Sequence, residues 1–259
     1  MLLEATGITA AYGDAQALFG VDLAIAEGEV VALIGANGAG KSTFLKTITG
    51  LLPPRAGTLQ FDGKSLAHID AADIVKLGIA LVPEGRRLFP SLSVEENLMM
   101  GALSGRKGPW DMARVFNLFP ILQEKRRMPG TSLSGGQQQR TALARALIKD
   151  AGLLLLDEPL VNLDYKLREE LRSELTELFS SGKTTVVYAT TEPLEALQLG
   201  GHTLVMHEGR LLQHGDTLSV FNAPNSIQTA RTFSDPPINL IEARITADGV
   251  AHLAEGLQI

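Results

Sequence analysis

At 259 residues, 45% of them hydrophobic, the chain is long enough to bury a sizeable core in one large domain or two small ones. A formal net charge of -6 supplies no broad basic field, so nucleic acid is not an expected partner. The absence of cysteine excludes disulfides, thiolate metal sites and cysteine nucleophiles, in keeping with a reducing compartment.

Residues 1–7 lack the basic and apolar regions of a signal peptide, and no run reaches the roughly 18–20 apolar residues of a spanning helix. The chain therefore reads as cytoplasmic, meeting a membrane only through other proteins. Residues 2–8, 21–25 and 30–34 read as short strands, the last apolar throughout as a strand buried on both faces should be. Glu27-Gly28-Glu29 is the turn between the second and third. A helix is predicted from Lys41 to about Gly50, ended by Pro53-Pro54. Residues 58–61 read as a strand entering a tight turn at Asp62-Gly63, and 78–83 as a further apolar strand.

From 93 to 149 the pattern is helical, opening with a capping box in which Ser93 stands three residues before Glu96. Strands at 153–156, 184–188 and 203–206 then alternate with helices at 165–179 and 194–199, an α/β order with a parallel sheet. Leu167, Leu171, Leu175 and Leu178 form a core stripe. Beyond Ser234-Asp235-Pro236-Pro237, two short strands at 240–245 and 250–254 are joined by Asp248-Gly249, too little for an independent domain.

Three segments carry chemistry. Gly35-Ala36-Asn37-Gly38-Ala39-Gly40-Lys41-Ser42-Thr43 matches the phosphate-loop pattern and sits between a buried strand and a helix, as its mechanism requires. The glycines Gly35, Gly38 and Gly40 let the backbone curl until successive N–H groups face the phosphates; Asn37 and Thr43 complete the loop. Lys41 reaches the terminal phosphates and Ser42 offers a hydroxyl to magnesium. Downstream, four leucines end in Asp157-Glu158, where the first carboxylate holds the magnesium shell through water and the second acts as general base toward an attacking water. Finally, Leu133-Ser134-Gly135-Gly136-Gln137 opens another helix with an anion-binding end. One triphosphate does not need two such ends, so this one is expected to serve the phosphate of a neighbouring subunit.

In order and spacing these segments resemble the ATP-binding subunits of ABC transporters, and the likeness covers residues 2–235. It implies an ATP- and Mg²⁺-dependent ATPase: a P-loop NTPase core with a mixed, mostly parallel sheet, an N-terminal antiparallel β subdomain and a helical signature subdomain at about 85–150. The resemblance also makes Tyr12 the aromatic that stacks on adenine, and places Asp164, with Leu163, in the loop signalling between two sites. Ser134, Gly135, Gly136 and Gln137 would clasp the ATP of a second ABC ATPase subunit. Membrane permease subunits are the other implied partners, gripped around residues 84–90, with the protein peripheral on the inner face of the cell membrane.

The two halves point to different relatives. Ala11-Tyr12-Gly13 and Val82-Pro83-Glu84-Gly85-Arg86-Arg87 resemble branched-chain amino acid importer subunits. From Leu133 onward, notably at 157–168 and 233–237, the chain resembles sugar and glycerol-phosphate importer subunits. Those relatives carry a further β-rich regulatory domain, of which residues 236–259 would be a short stump. The solute implied is small and polar, an amino acid or a sugar or polyol.

Two positions depart from the family pattern. Glu84 stands where most members have a glutamine contacting magnesium and the attacking water, and Thr191 where the family has a switch histidine contacting the terminal phosphate. The first is tolerable; the second removes a well-aimed donor, a loss of about 10² to 10³ in rate by analogy. The expectation is then a slow own site and a heterodimer in which residues 134–137 complete a partner's site. A nucleotide-binding regulatory subunit is the competing reading, and a soluble relative in DNA repair or translation a third. Lys125-Arg126-Arg127 and Arg106-Lys107 read as solvated faces, and His202, His207 and His214 lack metal spacing, so no structural metal is assigned.

Overall fold

The computed structural model describes all residues except 86, 104, 106–108, 181, 183, 246–250 and 254–259. Arg86, the Arg106-Lys107 pair and the Asp248-Gly249 turn lie outside the described residues. The chain begins with β1 (Leu3–Tyr12), β2 (Ala15–Ile25) and β3 (Val30–Ile34), followed by α1 (Lys41–Ile48). Next come β4 (Ala56–Phe61), β5 (Lys64–Ser65), α2 (Ala71–Leu77) and β6 (Ile79–Val82). A helical stretch holds α3 (Val94–Ala102), α4 (Met112–Leu118), α5 (Pro120–Glu124), a 3-10 turn (Gly130–Ser132) and α6 (Gly135–Ile148). Then β7 (Leu153–Asp157), α7 (Tyr165–Ser180), β8 (Thr185–Thr190), α8 (Pro193–Leu199) and β9 (His202–His207) alternate. The remainder is β10 (Arg210–Asp216), α9 (Thr217–Asn222), α10 (Ile227–Phe233) and a ribbon of β11 (Ala243–Ile245) and β12 (Ala251–Leu253).

A six-stranded sheet in the order β10-β9-β3-β8-β7-β6 forms the centre, parallel except for its edge strand β10. The N-terminal sheet, β2-β1-β4-β5, is antiparallel throughout. This is the mixed sheet and antiparallel subdomain expected of a P-loop NTPase. Side-chain alternation explains how β7 fits: Leu153 and Leu155 face the core shared with α1 and the antiparallel sheet, while Leu154 and Leu156 face the core shared with α6 and α7. All four are buried, each contributing about 1.5–3 kcal/mol.

The expected helical stretch is broken into pieces where Pro109, Pro120 and Pro129 stand, since proline cannot donate to a helix interior. The capping box at Ser93 is formed, the Glu96 N–H donating to Ser93 Oγ and the Ser93 N–H to Glu96 Oε2. In α7 Leu171 and Leu175 are buried and Leu167 and Leu178 partly so. Five elements among the described residues go beyond the expectation: β5, α2, β10, α9 and α10. The strands β1 and β2 also run further than predicted, to Tyr12 and back to Ala15. No helix among the described residues is long and apolar enough to cross a membrane.

Candidate functional site

Parallel strands deliver their following residues to one edge of the sheet, where ligands of open α/β folds bind. Here β3 leads into the Gly35 loop, β6 to Glu84, β7 to Asp157 and Glu158, β8 to Thr191 and β9 to Glu208-Gly209. These segments line a cavity of about 680 Å³ that takes in Asn37 to Thr43 of the loop, Glu84, Glu158, Thr191 and Glu208. Its volume suits a ligand of nucleotide size.

Glycine is needed in the loop for two separate reasons. Gly38 and Gly40 adopt φ of 81° and 102°, where side chains are strained. Gly35 has ordinary φ, but a β-carbon there would sit against the Met206 carbonyl and 2.9 Å from the Ala39 β-carbon. Gly40 caps α1 without any side-chain bond, so the first-turn N–H groups keep their donor capacity for an anion.

Lys41 is 4% exposed; its Nζ donates to the Gly35 carbonyl at 2.6 Å and the Ala36 carbonyl at 3.1 Å, and pairs with Glu158 Oε1 at 3.1 Å. The Thr191 hydroxyl donates to the other Glu158 oxygen at 3.4 Å. Glu158 itself sits at φ 50°, an unusual conformation for a residue with a side chain, held by its N–H donating to the Ala189 carbonyl at 3.0 Å. That turn swings its carboxylate out of the strand direction and over the loop. The Ser42 hydroxyl donates to Asp157 Oδ1 at 2.8 Å.

Asp157 is 3% exposed, and its burial pushes its carboxyl above the usual range, with the charges of Glu158 and Glu84 adding to the rise and the Ser42 bond and Lys46 opposing it. Such a crowd of carboxylates is poorly suited to a bare polyphosphate and well suited to a hard divalent cation. Among the described residues no three acids or histidines form a ready-made metal cage. A Ser hydroxyl with one buried carboxylate, leaving the other positions to phosphate and water, is nonetheless the donor set Mg²⁺ takes. The residues present fit the ion.

The other expected site residues stand apart. Tyr12, 48% exposed at the end of β1, approaches the Thr43 hydroxyl at 3.5 Å and has Lys46 Nζ 5.9 Å from its ring centre, but does not line the cavity. Asp164 accepts from the Leu167 N–H at 3.0 Å and so caps α7. None of Ser134, Gly135, Gly136 or Gln137 lines the cavity. Ser134 and Gln137 form a capping box, which leaves the Ser134 O–H and the N–H groups at the very start of α6 as donors. Gly136 is packed against Leu167 of α7, whose Cδ1 would lie 2.6 Å from an added β-carbon.

Sequence reasoning missed part of the cavity wall: Gln16, Ala17 and Phe19 of β2 and the Glu208-Gly209 turn. That turn bridges the loop and β2, the Gly209 N–H donating to the Ala39 carbonyl and the Phe19 N–H to the Gly209 carbonyl, both at 2.9 Å. The Glu208-Gly209 dipeptide is a turn signal, but nothing local ties it to a loop so distant in the chain.

The family described as ABC transporter matches residues 18–161. The sn-glycerol-3-phosphate import ATP-binding protein UgpC 2 of Rhizobium johnstonii is 38% identical over 234 residues, covering 89% of this chain and 67% of that protein. The UgpC protein of Pectobacterium atrosepticum is 35% identical over 255 residues, covering 95% and 70%. Among solved structures, the chain is similar to the dimeric post-hydrolysis ATP-binding cassette MJ0796 bound to ADP and Pi, with a TM-score of 0.73 and 27% identity over 83% of this chain and 98% of that one. It is also similar to cbiO1 from Clostridium perfringens, part of the ABC transporter complex cbiONQ, with a TM-score of 0.69 and 31% identity over 85% and 90%.

Proposed function

The chain belongs to the ABC transporter family as an ATP-binding cassette with ATPase function, and from that premise we propose that it powers an importer of a small polyol or sugar phosphate. The observation that carries the catalytic part is the placing of Glu158 between Lys41 and Thr191 beside the loop. The names of the glycerol-phosphate relatives, which match across 89% and 95% of the chain, support the solute class over an amino acid.

In the proposed cycle the loop N–H groups and Lys41 take the β- and γ-phosphates, Lys41 exchanging its carboxylate partner for phosphate oxygens. This frees Glu158 to accept a proton from the water that attacks the γ-phosphorus, as the bond from that phosphorus to the β,γ-bridging oxygen breaks and ADP and phosphate are formed. Ser42, Asp157 and Glu84 would hold Mg²⁺, which would supply charge neutralisation to the phosphate oxygens. Thr191 steadies Glu158 or the γ-phosphate through its hydroxyl. Tyr12 stacks on adenine, and Ser134 to Gln137 of a second subunit close the site, with Asp164 between the two sites. Residues 1–235 form the ATPase domain, with the helical part at about 85–150, and 236–259 an extension from it. The surface near Glu84 and Phe89 meets a permease subunit, holding the protein on the inner face of the membrane.

Glu158→Gln should retain Mg²⁺-dependent ATP binding while kcat falls by about 10² to 10⁴, the usual effect of removing a general base. Turnover at the wild-type rate would remove Glu158 from the chemistry. Thr191 favours a second reading, in which this site is slow and residues 134–137 complete a site on a different cassette. On that reading Thr191→His raises kcat of the purified protein by about tenfold or more. An unchanged kcat in that variant would leave a pair of identical subunits as the better account.

A further inference from the structure

Thr191 and the residues beside it are held from within the fold by a group that the proposed chemistry does not use. Glu195, in the first turn of α8, is only 4% exposed. Its Oε2 accepts from the Tyr188 hydroxyl at 3.1 Å and from the Thr190 hydroxyl at 2.5 Å. The Thr190 hydroxyl in turn accepts from the Glu192 N–H at 3.0 Å. This is a relayed version of the helix capping box: the acid at the third helical position reaches the N-cap amide through a threonine hydroxyl rather than directly. Burial accordingly raises the Glu195 carboxyl above its ordinary 4.5, with the two hydroxyl bonds and Arg168 opposing the rise and Glu192 adding to it.

The backbone of this strand end has further ties. The Ala189 carbonyl accepts from the Glu158 N–H at 3.0 Å and the Thr190 carbonyl from the Gly35 N–H at 3.4 Å. β8 pairs with β3 on one side and β7 on the other, Thr190 beside Ile34 and Ala189 beside Asp157. The end of β8 therefore sets the phosphate loop, the Glu158 carboxylate and Thr191 relative to one another, and the Glu195 bonds tie its Tyr188 and Thr190 side chains to α8.

We propose that Glu195 is a positioning residue for ATP cleavage, acting through the Thr190 hydroxyl to hold the strand end on which Gly35, Glu158 and Thr191 are mutually set. The inference rests on the catalytic reading of Glu158. It requires an acceptor at residue 195 rather than a negative charge, because both contacts are donated hydroxyls.

The test uses the full chain with Glu195→Ala, Glu195→Gln, Thr190→Val and the double variant of the first and third. Turnover, Mg²⁺-ATP affinity and thermal melting are read on each. A small displacement of reacting groups costs up to about 10² in rate. Glu195→Ala should thus lower kcat by about 10- to 100-fold while ATP affinity stays within about threefold. Glu195→Gln, which keeps an acceptor oxygen, should recover kcat to within about threefold of wild type, and the double variant should be no slower than Glu195→Ala alone. The proposal is overturned by a Glu195→Ala protein of wild-type kcat, by kcat losses that multiply in the double variant, or by kcat and affinity falling together with the melting temperature in Ala and Gln alike. Wild-type protein that fails to cleave ATP would overturn the catalytic reading and this proposal together. An active wild type with an indifferent Glu195→Ala overturns this proposal alone.

Discussion

At the scale of single residues, the site holds one carboxylate, Asp157, in a place that does not favour its charge. Its folded-state carboxyl is raised above the ordinary 3.8, chiefly by burial and then by Glu158 and Glu84. A carboxyl raised on folding contributes stability below pH 3.8 and loses it as the pH rises through the folded value, so at neutral pH its charge is a cost to the ligand-free protein. Asp157→Asn keeps an oxygen for the Ser42 hydroxyl and removes that charge. The variant should melt at a higher temperature than wild type without ligand, yet gain less on adding Mg²⁺ and ATP, a stability gained against function. A lower ligand-free melting temperature would contradict this. The loop, Asp157 and Glu158 were legible in the sequence because each is a short local pattern whose chemistry is fixed by residue type. Glu195 was not, since an acid after a proline reads as an ordinary helix start until its burial against Tyr188 and Thr190 is seen.

At the scale of elements, α6 packs chiefly on α3 and is tied to α7 at two points. Arg140 of α6, 9% exposed, donates from Nε and Nη2 to the Glu174 carboxylate at 3.1 and 2.9 Å, and Gly136 packs on Leu167. These contacts join the first half of α6 to α7, the helix that Asp164 caps. Arg140→Ala should cost about 1–3 kcal/mol by loss of a charged, two-bond pairing. A chemical denaturation midpoint equal to wild type would show the pairing to be idle. Most elements could be read from hydrophobic period alone, β3, β7 and α7 best of all, because burial on both faces or along one stripe leaves an unmistakable pattern. The failures have physical causes. Gly7 and Gly20, at φ of 59° and 78°, interrupt β1 and β2, which pair through irregular registers, so the strands were read as shorter than they are. Only Ile74 of α2 is buried, and β10 is a partly buried edge strand, so neither carries a strong periodic signal.

At the scale of the molecule, the phosphate loop and the start of α6 lie in different places on one chain, and the cavity around Lys41 contains no residue from 134–137. In the proposed assembly each serves a different ATP in a pair of subunits, related by a two-fold axis when the subunits are identical. The similarity to a dimeric cassette supports a pair without fixing the identity of the partner. Lys41→Ala disables the loop and Ser134→Arg blocks the helix start, and each variant alone should lack turnover. Mixed in equal amounts and allowed to exchange subunits, they form some pairs in which one site has both Lys41 and Ser134 intact. ATP turnover should then recover toward about a quarter of the wild-type rate, as expected if half the pairs are mixed and each has one working site. Two variants that still pair with each other but show no recovery on mixing would contradict the composite site.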